Sequence, residues 1–159
     1  MKLCKKLLNK RFTIPKPRII MKRSVVEFIK ETTLKSPFVE TGGILMGYDK
    51  KDLLVEVISA SLPGPNAYHS STKFERDTIY CTRVLYENYY KHGIDYVGEW
   101  HSHVVPLRRA SIGDIDTIAS IVLDPDYSFN AFACIVALLE HNKVELLGYI
   151  ADEKYIYSH

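Results

Sequence analysis

The sequence predicts one α/β domain in which a mixed, mainly antiparallel sheet is flanked by helices. Short apolar runs bounded by turn residues are typical of strands, and three other segments have the apolar spacing of helices. No linker, internal repeat or low-complexity segment divides the 159 residues. A chain of this length can bury a sizeable core, so we predict a single domain over residues 1–159.

The N-terminal segment is basic and leads into the first predicted helix. Residues 1–23 hold nine Lys or Arg and no acidic residue, whereas the rest of the chain holds 12 basic and 19 acidic residues. We treat residues 1–20 as a basic arm that is a solvated tail or an edge strand, with contact to an acidic partner or nucleic acid as the alternative. Ser24 and Glu27 have capping-box spacing, which predicts a helix over 25–35.

The next segments predict a hairpin, a loop and a second helix. Ile44–Tyr48 and Leu53–Ala60 are strand-like runs on either side of a turn. Pro, Gly and Asn residues predict a loop over 61–71. The second helix is predicted over about 75–92 and ends at Gly93. Its predicted apolar stripe consists of Thr78, Cys81, Leu85 and Tyr89.

The last third of the chain predicts three strands and one helix. Asp95–His101 is strand-like, and a helix over Gly113–Leu123 ends near Pro125. Two further strands, Phe129–Leu139 and Val144–Ile150, are predicted to pair around a turn. These elements complete the predicted sheet and its flanking helices.

Two histidines stand one residue apart at the end of a predicted strand. Because residues i and i+2 of a strand point to the same face, His101 and His103 project together, while Trp100 and Ser102 face away. Two neutral imidazoles form a bidentate site for a divalent transition metal, most often zinc. Asp114, in the first turn of the third helix, can complete a set of three protein ligands and leave a fourth position for water.

Spacing leaves the other roles at this site open. Ser111 and Asp114 also have the spacing of a capping box. A metal-activated water needs a base, and two glutamates compete for that role. Glu99 lies two residues before His101 on the same strand face, whereas Glu40 begins ETGGILMG, whose glycines allow close backbone approach.

Taken together, these segments resemble the JAMM, or MPN-plus, metallopeptidase family. The resemblance covers about residues 20–150 and rests on Glu40 with GGILMG, then HSH, seven residues, Ser111, two residues and Asp114. GEWHSH and PGPNAYHSSTKFERD are similar to the bacterial branch. Many of its members are encoded beside ubiquitin-activating-like and ubiquitin-conjugating-like enzymes, some of them in antiphage CBASS operons. Members usually have proline directly after the second histidine, where this chain has Val104.

The resemblance implies a cytidine-deaminase-like sandwich fold and hydrolysis after the C-terminus of a ubiquitin-like modifier, in deconjugation, in precursor processing or in both. It makes Glu40 the general base and acid and Ser111 a donor to the developing oxyanion. Glu99 would orient a ligand or bind substrate. One zinc ion per chain is implied, with three ligands: His101, His103 and Asp114.

Other functional classes fit the sequence less well. The alternative function is a non-catalytic MPN scaffold, which predicts that some ligand positions are missing, and none is missing here. A zinc deaminase predicts HxE and PCxxC motifs, and the sequence contains neither. No aromatic-interleaved basic motif supports nucleic-acid binding. No apolar run reaches the roughly 20 residues that span a bilayer. No disulfide framework is expected from the three cysteines, Cys4, Cys81 and Cys134; we expect free thiols, two of them in the core. We also expect the enzyme to be cytoplasmic and its substrate to be a ubiquitin-like protein.

Two loops are expected to determine the selectivity of this enzyme, over residues 61–74 and 104–110. Arg108 and Arg109 in the second loop either contact an acidic substrate or are only solvated.

Overall fold

The computed structural model describes residues 16–158, so Cys4 and most of the predicted basic arm lie outside the described residues. The strands of the described residues are β1 (Arg18–Met21), β2 (Gly42–Lys50), β3 (Leu54–Ala60), β4 (Tyr68–His69), β5 (Phe74–Glu75), β6 (Asp95–His103), β7 (Phe132–Glu140), β8 (Lys143–Ala151) and β9 (Ile156–Ser158). The helices are α1 (Arg23–Leu34), α2 (Thr78–His92) and α3 (Ile112–Val122).

Seven of these strands form one curled sheet in the order β1-β3-β2-β6-β7-β8-β9. The pairs β1–β3 and β6–β7 are parallel, and the other four pairs are antiparallel. The predicted mixed, mainly antiparallel sheet is therefore confirmed. The edge strand β1 also contacts β8, which curls the sheet. This part of the basic arm is thus an edge strand, one of the predicted possibilities.

Helices cover both faces of the sheet, because strand side chains alternate between two apolar layers. On one face, Val25 and Ile29 of α1 pack into a core with Trp100. On the other face, α2 and α3 cover a second core that includes the free, buried thiols of Cys81 and Cys134. Within the part of the chain described here, no helix is both long and apolar enough to cross a membrane.

Close backbone approach joins β2 to β6, as its glycines predict. Gly42 pairs with His101, and a methyl group added at Gly42 would lie 2.3 Å from the carbonyl oxygen of Trp100. The same change at Gly43 would place a methyl group 2.3 Å from the carbonyl oxygen of Ser61. Only glycine leaves room for this spacing. The β2 strand is thereby fixed against the strand that carries both histidines.

Two helix starts differ from their predictions. The capping box at Ser24 is wrong: α1 begins at Arg23, and its N-cap is Lys22, which makes no side-chain cap. The N–H of Lys22 bonds the carbonyl of Val57 in the strand ladder, so the chain enters the helix directly from β1. Helix α2 begins at Thr78 rather than near residue 75, because the carboxylate of Asp77 accepts the N–H of Tyr80 as an N-cap.

The predicted apolar stripe of α2 is only partly correct. Cys81 is buried and Leu85 is half-buried, but Thr78 and Tyr89 are exposed. The helix ends as predicted, with Gly93 in the left-handed region at φ 63° and its N–H bonded to the carbonyl of Tyr89. The loop predicted over 61–71 contains β4, which pairs with β5 in a small hairpin outside the main sheet.

Candidate metal centre

Strand β6 brings its two histidines to one point. It continues to His103, two residues beyond its predicted end, so that both imidazoles lie on the face covered by α2 and α3. The Nε2 atoms of His101 and His103 are 3.1 Å apart. Trp100 lies in the core beneath α1, and the hydroxyl of buried Ser102 accepts the N–H of Thr41 at 2.9 Å. The predicted alternation of faces is therefore confirmed.

The first turn of α3 adds a carboxylate to this pair. Ser111 is the N-cap, and its hydroxyl oxygen accepts the N–H of Asp114 at 3.1 Å. Asp114 Oδ2 in turn accepts the N–H of Ser111 at 2.6 Å, which completes the capping box that the spacing allowed. The same carboxylate reaches His101 Nε2 through Oδ1 at 3.1 Å and His103 Nε2 through Oδ2 at 3.2 Å. The cap thus fixes the carboxylate beside both imidazoles.

These three side chains could hold a metal ion. Their ligand atoms all lie within 4.8 Å of one another. His103 Nδ1 donates to the carbonyl of Leu107 at 3.1 Å, because a carbonyl can only accept. In the neutral imidazole this bond places the proton on Nδ1, so that Nε2 can act as a metal ligand, the usual arrangement of a metal-binding histidine.

Electrostatic interactions hold the cluster together. Burial disfavours the charged form of Asp114, but hydrogen bonds from His101 and His103 outweigh burial and hold the pKa of this carboxyl well below its usual range. Burial likewise opposes the charged form of His103, yet its hydrogen bonds to Asp114 and the Leu107 carbonyl raise its pKa above the ordinary value. The carboxylate is therefore ionised in the cluster.

A second carboxyl group, that of Glu40, faces the same cleft. The cleft has a volume of about 650 Å³, and Glu40, His101, Ser111 and Asp114 all line it. Glu40 is 6% exposed. Burial raises its pKa above the ordinary range, although the charges of His101 and His103 act in the opposite direction. A carboxyl group with a raised pKa is better suited to take up and give back a proton during a reaction near neutral pH than one with the ordinary pKa.

Glu99, the competing glutamate, also lies in the cleft but is engaged by other side chains. Its Oε1 accepts the hydroxyl of Tyr96 at 2.7 Å and pairs with the guanidinium of Arg76. The pair is largely buried, with side chains 27% and 17% exposed for Arg76 and Glu99. Sequence reasoning missed Arg76, although it stands in the FERD segment of a motif that the sequence singles out.

Of the two predicted selectivity loops, the first contributes residues to the lining of the cleft and the second does not. In the first, residues 72–74 line the cleft, and the β4–β5 hairpin forms this wall. In the second, the guanidinium of Arg108 pairs with Glu140 and Glu145 on the β7–β8 hairpin. Arg108 is therefore paired with neighbouring carboxylates, and its side chain is 54% exposed. Arg109 is exposed.

Known proteins share both sequence and fold with this chain. No family model matches it. A CD-NTase/cGAS isopeptidase of Enterobacter hormaechei subsp. hoffmannii is 31% identical over 110 residues, which are 69% of this chain and 61% of that protein. The matched part is thus less than two thirds of the relative's length. A protein of Desulfitobacterium hafniense, solved in solution, has a TM-score of 0.66 at 18% identity, over 89% of this chain and 90% of that one. This likeness shows a common fold.

Proposed function

We propose that this chain is a zinc-dependent isopeptidase or peptidase of the JAMM/MPN-plus type, with the cytidine-deaminase-like sandwich in one domain over residues 1–159. It would cleave after the C-terminus of a ubiquitin-like modifier or a modifier-like protein. The observation that carries the proposal is the convergence of two imidazoles and a carboxylate in a cleft that also contains a buried glutamate. Similarity to a protein named CD-NTase/cGAS isopeptidase supports the activity class, and we extend it to a cytoplasmic antiphage system of the CBASS type.

The donor set fits zinc. Ligand bonds of about 2.0–2.1 Å in a tetrahedron place neighbouring ligand atoms about 3.3 Å apart. The two Nε2 atoms are 3.1 Å apart, close to that edge length, and each lies near one oxygen of Asp114, His101 at 3.1 Å from Oδ1 and His103 at 3.2 Å from Oδ2. Two nitrogen donors and one carboxylate are a ligand set of catalytic rather than structural zinc. When bound, zinc would supply Lewis acidity for water and for the scissile carbonyl.

Glu40 is the proposed general base and acid. Its raised pKa suits a group that accepts a proton from the attacking water and then delivers it to the leaving amine. Its position in the buried part of the cleft also limits exchange of that proton with solvent. Glu99 is the weaker candidate, because its carboxylate is already engaged by the guanidinium of Arg76 and the hydroxyl of Tyr96.

Ser111 is the proposed donor to the developing oxyanion. Its oxygen accepts the N–H of Asp114, which leaves its own O–H proton free to donate into the cleft. The charge that forms on the substrate carbonyl would meet this hydroxyl only in the transition state. Glu99 and Arg76, farther along the cleft wall, would bind the substrate rather than the reacting atoms.

The test compares the two glutamates directly. The substrates are ubiquitin-like proteins from neighbouring genes, each fused through its C-terminus to a reporter. We expect about one zinc per chain by elemental analysis in the wild type, in Glu40→Gln and in Glu99→Gln. Cleavage should fall to a small residual rate in Glu40→Gln and be reduced much less in Glu99→Gln. The proposal would be contradicted by a zinc content near zero after reconstitution, or by an active Glu40→Gln beside an inactive Glu99→Gln. If the wild type bound the fusion proteins without cleaving them, the alternative of a non-catalytic scaffold would be favoured.

A further inference from the structure

The β4–β5 hairpin encloses the backbone of Glu40. The N–H of Glu40 donates to the carbonyl of Ser70 at 2.7 Å. The carbonyl of Glu40 is 2.8 Å from Nδ1 of His69, and since a carbonyl can only accept, Nδ1 carries the proton and donates it. Both backbone polar groups of this residue are therefore paired with neighbouring residues of one hairpin.

The main sheet does not supply these partners. Strand β2 begins at Gly42. Just before it, the carbonyl of Thr41 makes the last backbone hydrogen bond to β6, where it accepts the N–H of Ser102 at 2.7 Å. Glu40 lies one residue beyond that point and is almost fully buried. Buried backbone groups without hydrogen-bond partners destabilise the folded state. The hairpin consequently replaces the missing strand partner at this position.

Packing holds the histidine ring in place. The ring of His69 lies against Phe74, with centroids 5.5 Å apart. Phe74 in turn packs on Gly42, where its Cε1 would be 2.6 Å from an added methyl group. The turn between the two strands is closed by the N–H of Ser70, which donates to the carbonyl of Lys73 at 2.8 Å. The ring is thus fixed between the hairpin and the start of β2.

We infer that His69 is a positioning residue for the base of the proposed reaction, a role that rests on the function proposed above. It acts through Glu40: its Nδ1–H fixes the backbone from which the carboxyl group reaches the cleft. Misplacing a reacting group by about 1 Å costs on the order of a hundredfold in rate. Loss of this hydrogen bond should therefore slow the chemical step while substrate affinity and metal content are retained.

The experiment compares three substitutions that differ in where a donor stands. The amide nitrogen of Asn occupies the place of Nδ1, whereas that of Gln occupies the place of Nε2. We expect His69→Ala and His69→Gln to lower kcat on the order of ten- to a hundredfold with KM and zinc content unchanged, and His69→Asn to keep most of the rate. In a Glu40→Gln background, His69→Ala should lower the residual rate no further. The matched control is His92→Gln on the exposed surface, which should leave kcat unchanged.

Amide hydrogen exchange at Glu40 gives a second readout that needs no substrate. This N–H is bonded to the carbonyl of Ser70, next to His69, so it reports how firmly the hairpin holds the backbone of Glu40. It should be protected in the wild type and in His69→Asn, and should exchange faster in His69→Gln and His69→Ala. The inference would be overturned if the Glu40 N–H stayed equally protected in His69→Gln, or if kcat were unchanged in His69→Gln and His69→Ala. It would also be overturned if His69→Ala lowered the rate equally in the wild type and in the Glu40→Gln background. If Glu40→Gln proves fully active, the proposed base is wrong, and hydrogen exchange still decides whether His69 holds this backbone.

Discussion

At the scale of single residues, the grouping of three side chains that could hold a metal ion could be predicted, because its determinants are local. Alternation along one strand places His101 and His103 on one face, and capping geometry places Asp114 at the start of a helix. The choice between Glu40 and Glu99 could not be made from spacing, because burial and ion pairing separate them. The ion pair of Glu99 is made with Arg76, which stands 23 positions before it in the chain.

Burial of Glu40 has a measurable consequence for stability. Burial, with a further contribution from the charge of Asp114, raises the pKa of this carboxyl against the opposing effect of both histidines. The folded protein therefore holds the proton more tightly than the unfolded chain, whose Glu pKa is about 4.3. This contribution to the free energy of unfolding is present below that pH and is lost as the pH rises through the folded pKa.

We expect Glu40→Gln to gain stability relative to the wild type across that window, since Gln does not titrate. Each unit of pKa difference corresponds to about 1.4 kcal/mol. Urea unfolding of the chelator-treated proteins between pH 4 and pH 8 measures the difference, which should grow with pH and then level off. Glu153→Gln, on the exposed surface, serves as the control. A wild type that gains stability over Glu40→Gln as the pH rises would show that the cluster favours the charged carboxylate.

At the scale of elements, the long strands and all three helices could be predicted, and the short elements could not. The two-residue strands β4 and β5 carry too few residues for alternation to be visible. Their pairing depends instead on contacts with Glu40 and Gly42, which are distant in sequence. The false capping box at Ser24 has the opposite cause: a local pattern is present, but the strand ladder already engages Lys22.

Two glycines near the site should respond in opposite directions to alanine. A methyl group at Gly42 would lie 2.3 Å from the Trp100 carbonyl and would push β2 away from His101. We expect Gly42→Ala to lower the free energy of unfolding by about 1–3 kcal/mol and to weaken zinc binding. At Gly113, on α3, the nearest atom to an added methyl group is Ser111 Oγ at 3.7 Å, an ordinary contact. Gly113→Ala should stabilise the protein by about 0.5–1 kcal/mol.

Urea unfolding of the metal-free variants and zinc titration of each measure these effects. Equal damage from both substitutions would mean that added volume near the cleft, rather than the strand spacing at Gly42, determines the result.

At the scale of the whole molecule, the sheet brings together wall segments that are far apart in the chain. The cleft lies between the β4–β5 hairpin, with Arg76 directly after it, and the first turns of α3, and β6 forms its floor. Its walls present charged side chains, among them Lys73, Glu75 and Arg76. An extended chain can cross such a cleft only if its backbone hydrogen bonds are satisfied, which pairing with a strand edge provides.

The proposed substrate fits a cleft of this kind. A flexible tail with small residues beside the scissile bond lets its backbone approach the metal centre, whereas a bulky side chain there would collide with the cleft walls. We expect efficient cleavage of a ubiquitin-like domain fused through its own C-terminus to a reporter. A bulky residue before the cut should lower kcat/KM on the order of a hundredfold, and unfolded casein should remain intact. Parallel assays of the three substrates measure these differences. Because an unfolded chain offers extended segments of every composition, rapid digestion of casein would show that the cleft selects neither small residues nor an attached folded domain.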